Sequence, residues 1–133
     1  MKGFEPMSRK NWEINGLSLE FDNQDADNME RYENAFDLME KEAKQLPKDG
    51  RVSERIRAYC NVFRNLFDRI FGEGTSDKLF DGVPMSSERY EEIYTQFLEF
   101  VREQNDASHQ RHAARISAYL PNRKQRRSAA KNK

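Results

Sequence analysis

The sequence predicts a mainly α fold: an N-terminal β-hairpin packed on a small bundle of about three long helices plus one short helix, followed by a basic C-terminal tail. Three features predict it. Apolar residues recur at steps of three or four over three long stretches, the spacing that gathers side chains on one face of a helix. Only WEINGLSLEF, residues 12–21, alternates in the manner of strands. Charged residues make up 35% of the chain against 36% hydrophobic, a balance that suits solvated helices better than a sheet enclosed on both faces.

The hairpin comes first. Trp12 and Ile14 share a face before Asn15-Gly16; Leu17, Leu19 and Phe21 share a face after it. Asn-Gly tolerates the positive φ angles of a two-residue turn. A lone hairpin is marginal in water, so its apolar face is expected against helices. The first helix follows in DNQDADNMERYENAFDLMEKEAKQL, where Met29, Tyr32, Phe36, Met39, Ala43 and Leu46 share a face. Asp27 with Glu30 fits a capping box, and Asp25 is the alternative cap. Pro47 and Gly50 end the helix. Glu40 and Lys44 are spaced as an ion pair on its polar side. The second helix is expected from about Ser53 to Phe71. Its stripe of Ile56, Tyr59, Cys60, Phe63, Leu66, Phe67 and Ile70 is broader, which makes it the central one.

The connection after it, FDRIFGEGTSDKLFDG at 67–82, holds three of the six glycines beside a hydroxyl and a lysine. A phosphate loop presents backbone N–H groups at a helix N-terminus, usually just after a strand. Here a helix precedes, and GEGTSDK lacks the required spacing. The stretch reads as a structural elbow built on Gly72, Gly74, Thr75 and Gly82. Gly72 stops the second helix, Thr75 caps a short helix SDKLF, and Asp81-Gly82 closes it. A third long helix starts at Ser86 or Ser87, buries Tyr90, Ile93, Tyr94, Phe97, Phe100 and Val101, and can run to Leu120 before Pro121. Past residue 101 that helix is mostly polar, with Ala113, Ile116 and Leu120 in apolar register. Residues 1–11 are expected as a flexible leader, 12–120 as one helical domain, and 121–133 as a tail disordered when free.

Catalytic chemistry finds little footing. Asp106, His109 and His112 recur at steps of three, but such positions drift around a helix, and a solvated polar face is the favoured reading. Cys60 falls on the apolar stripe, where a small buried hydrophobe is expected. No two carboxylates stand out for acid–base work. No cofactor, metal or catalytic residue is therefore assigned. The one cysteine leaves no internal disulfide, which fits a reducing compartment. No apolar run approaches the roughly 20 residues of a membrane span, and the N-terminus lacks the apolar core of a signal peptide.

The zero net charge conceals a split. From Arg111 onward there are eight basic residues and no acid, which leaves 15 basic against 23 acidic residues in 1–110. An acidic body thus carries a basic interaction tail. Arg123, Lys124, Arg126 and Arg127 are its candidate contact residues. Such a tail can grip nucleic acid through phosphate contacts, or an acidic protein surface, including another copy of this chain.

The stretches INGLSLEFDNQDADNMERYENA, IRAYCNVFRNLFDRIFGEGTSDKLF and PNRKQRRSAAKNK together resemble the small tail assembly chaperone-like proteins of phages and prophages of Gram-positive bacteria. The resemblance runs from about Ile14 to Lys133, with no distinctive motif in 83–118. It implies a non-enzymatic protein of the bacterial host cytoplasm that coats the tape measure protein before the tail tube polymerises, and that is absent from the mature virion. It further implies self-association, with the tail tube protein as a further partner, and it offers no catalytic residue to carry over. Two other readings stay open. One is a nucleic-acid-binding accessory protein acting through the basic tail. The other is a mobile-element inhibitor of a host protein acting through the acidic surface.

Overall fold

A computed structural model describes residues 10–119. The expected leader 1–9 and the tail from 120, with Arg123, Lys124, Arg126 and Arg127, lie outside the described residues. The fold is mainly helical: β1 (Asn11–Ile14), β2 (Leu17–Glu20), α1 (Ala26–Lys44), α2 (Val52–Phe71), α3 (Thr75–Leu79) and α4 (Ser87–Tyr119). The two strands pair antiparallel, Trp12 opposite Leu19 and Ile14 opposite Leu17. Asn15 and Gly16 both take positive φ, 49° and 78°, the turn that matches the strands' twist. Trp12 and Ile14 are buried on the face toward the helices.

Trp12 ties the hairpin to the bundle. Its ring lies 5.8 Å from Phe67 on α2 and 5.2 Å from Phe97 on α4. Ring contacts also fix the helix directions. Phe63 meets Tyr94 and Phe67 meets Phe97, so α2 and α4 run the same way. Tyr32 meets Phe97 and Phe36 meets Tyr94, so α1 runs against α4. The central helix is α2, as its broad stripe indicated: Cys60, Val62, Phe63, Leu66, Phe67 and Ile70 are all buried.

Four local expectations differ. The cap of α1 is Asp25, not Asp27: its carboxylate accepts from the Asn28 backbone N–H at 2.9 Å and from the Asn28 side-chain amide at 2.6 Å. Asn28 supplies both donors, which a Glu at the capping-box position would not. The apolar stripe of α1 is only half-buried, because the helix sets Ala35 against the core instead. Glu40 and Lys44 make no ion pair; the acid of α1 that pairs is Glu42, with Arg69 of α2 at 2.7 Å. The fourth difference concerns Thr75 and the elbow.

Candidate functional site

Gly72 ends α2 at φ 118°. Gly74, at φ 90°, holds the N-cap position of α3, and Thr75 is the first helical residue rather than the cap. Neither supplies a side-chain cap. The cap comes from eight residues back: Asp68, on the last turn of α2, accepts from the Ser76 backbone N–H at 2.7 Å and from its hydroxyl at 3.0 Å. A carboxylate thus already sits on a donor that an anion would need, and its charge opposes a phosphate there. Gly82, at φ 76°, lies in the turn after α3. The elbow is then clamped from α2 and α4. Arg64 bonds the Tyr90 hydroxyl at 3.1 Å, ion-pairs with Asp77, and lies over the Phe80 ring. Phe80 and Tyr90 stack with centroids 3.9 Å apart. The Asn15 side chain donates to the Leu79 carbonyl, tying the hairpin turn to α3. Of the four elbow residues, the glycines serve backbone geometry and Thr75 makes no cap.

The polar half of α4 held contacts that its sequence did not announce. Gln104 is buried and its side-chain amide donates to the Phe21 carbonyl at 2.5 Å. Ser108 donates to Asn23, which in turn donates to Asn105 at 2.7 Å, and Arg111 donates to Ser108. These bonds hold α4 on the β2–α1 connection. Beside them lies a cavity of about 220 Å³ lined by Asn23, Gln24, Asn105, Ser108, His109 and His112. Asp106 is not among its walls. No group of three or more His, Cys, Asp or Glu stands together to hold a metal among the described residues.

A larger open cleft, about 450 Å³, separates the hairpin from α1 and is lined by polar groups including Glu20, Asp22, Asp25 and Arg31, with Phe71 at its back. Its groups are engaged locally. Asp22 pairs with Lys10 at 3.4 Å, the two amide bonds from Asn28 hold Asp25 below the ordinary carboxylate range, and Arg31 donates to the Ile70 carbonyl at the end of α2. Cys60 is fully buried, and burial pushes its thiol up, away from the reactive thiolate.

The surface best suited to a macromolecule is an apolar seam between α1 and α4. Tyr32 and Phe36 of α1 meet Phe97 and Tyr94 of α4, and Met29, Tyr32, Phe36, Met39, Tyr94 and Leu98 are all half-buried against the core. The two helices meet there through rings, Phe36 to Tyr94 at 6.4 Å and Tyr32 to Phe97 at 6.2 Å. Burial raises the Tyr32 and Tyr94 phenols, so both stay neutral across the physiological range. Unbranched methionines and flat rings adapt to apolar partners of varied shape. Helical spacing sets Glu33 and Glu40 on the flank of α1 turned away from Ala35, and both are exposed.

Residues 15–130 match a family of unknown function, DUF6673. No curated protein and no solved structure matches the chain.

Proposed function

The chain belongs to DUF6673, and we propose that it is a non-enzymatic phage tail assembly chaperone that holds amphipathic helices of the tape measure protein. The observation that carries this reading is the α1–α4 seam, a strip of methionines and aromatic rings half-covered on a charged helical body. A helix laid into such a groove buries its apolar stripe and leaves its polar face in water. The acidic body keeps the pair soluble by charge. A holding role is favoured over chemistry by the state of the reactive groups: Cys60 is shut in the core, and Asp68 is spent on the elbow. The chaperone works in the host cytoplasm and is absent from the finished virion. No helix among the described residues is long and apolar enough to cross a membrane.

Co-expression with a tape measure fragment at low salt tests the proposal. The fragment is expected in the soluble fraction, bound to the chain, and Leu98→Glu is expected to release it while circular dichroism stays unchanged. A fragment that stays insoluble and unbound with the wild-type chain sinks the reading.

A further inference from the structure

Beyond His112, the last wall of the cavity against Asn23 and Gln24, the side chains of α4 are exposed through Ala118. His109 to Ala118 are exposed apart from half-buried Arg111, and Ile116 is 45% exposed, one of few large apolar side chains so uncovered. At 1.5 Å per residue, this arm from Ala113 to Tyr119 is roughly 10 Å long. It leads into residues 120–133, which hold six basic residues and no acid, whereas residues 1–110 carry an excess of eight acids (23 acidic, 15 basic). On the outer flank of the seam, Glu33, Asp37 and Glu40 are exposed, and no ion pair among the described residues engages them.

We infer that the seam of one copy receives the C-terminal segment, residues 112–133, of a second copy. Ala113, Ile116 and Leu120, one helical register, cover Tyr94, Leu98 and Phe36. Arg123, Lys124, Arg126 and Arg127 then lie along Glu33, Asp37 and Glu40. Charge complementarity selects this occupant, and reach assigns it to a second copy. From Tyr94 to Tyr119 the helix spans about 37 Å, while the eight residues from Tyr119 to Arg127 extend at most about 28 Å. A chain's own basic cluster therefore falls short of Glu40, about one helical turn past Phe36 on α1, and its own Ala113 and Ile116, on the same helix as Tyr94, cannot fold back to cover that ring. The inference rests on charge and reach, not on the identity of any client. Exposed pairs are individually weak and screened by salt, so the contact is reversible.

Charge exchange in the full-length chain tests it. Sedimentation velocity at low salt is expected to show concentration-dependent self-association that weakens as salt rises. Glu33→Lys with Asp37→Lys and Glu40→Lys should raise the dissociation constant about tenfold or more, and reversing Arg123, Lys124, Arg126 and Arg127 to Glu should do the same. An equimolar mixture of the two variants should recover the wild-type association, because each then offers the other matched surfaces. All seven positions avoid the buried core or lie past it, and unchanged melting temperatures check that the variants fold. Three results overturn the inference: a wild-type chain that stays monomeric at low salt, association untouched by either reversal, or a mixture that fails to recover. Loss of self-association with client binding intact removes this contact alone and leaves the chaperone proposal standing.

Discussion

Asp68 shows what one side chain decides in this fold. It caps α3 from the last turn of α2, and it satisfies the buried hydroxyl of Ser76 at 3.0 Å. Asp68→Ala is expected to destabilise the protein by about 1–3 kcal/mol, since it leaves a buried donor without a partner. Urea melts read the change, and a loss below about 0.5 kcal/mol would mean that water replaces the carboxylate freely. The elbow was legible in the glycines, because positive φ at Gly72, Gly74 and Gly82 needs that residue type. The source of the cap was not. Sequence reading looks for a hydroxyl beside the helix start and lands on Thr75, whereas the chain doubles back so that a residue eight positions earlier arrives in space. The same limit put Asp27 ahead of the alternative, Asp25, which stands just before the helix and accepts from both the backbone and the side-chain amide of Asn28.

Among the elements, α2 was the most legible and α1 the least. A broad apolar stripe can only be a helix enclosed on several sides, and α2 is that helix. Phe63 illustrates it: 3% exposed, with rings of Tyr59 and Tyr94 each 5.0 Å away. Phe63→Ala should cost about 3–5 kcal/mol through lost burial and a cavity, read by denaturant melts. A change below about 1 kcal/mol would place Phe63 at a surface instead. The spacing of α1 identified the face of Met29, Tyr32, Phe36 and Met39, while Ala43, expected with them, is exposed and Leu46 lies past the end of the helix; periodicity does not say what covers a face. Here little does, and that shortfall is the seam. The error on α4 runs the other way. Past residue 101 the helix is mostly polar in sequence, yet Gln104 and Ser108 are buried, because the β2–α1 connection offers a carbonyl at Phe21 and an amide at Asn23 as partners. Polar residues hide in a core when the backbone beside them has bonds left to give.

At the scale of the whole molecule, a net charge of zero is divided between a body that repels itself and a C-terminal segment that attracts it. The apolar seam and the α4 arm lie on opposite sides of that division, so under the two proposals client and second copy would compete for one surface. Both proposals stand or fall on the seam. Amide hydrogen exchange on the full-length chain, with and without a bound tape measure fragment, tests it most directly, because exchange reports which backbone segments a partner closes. Slowed exchange is expected along α1 from Met29 to Met39 and along α4 from Glu91 to Val101, with the hairpin unchanged. Binding that leaves both segments exchanging as before, or that protects instead the cleft between the hairpin and α1 around Ser18 to Asp25, would contradict it.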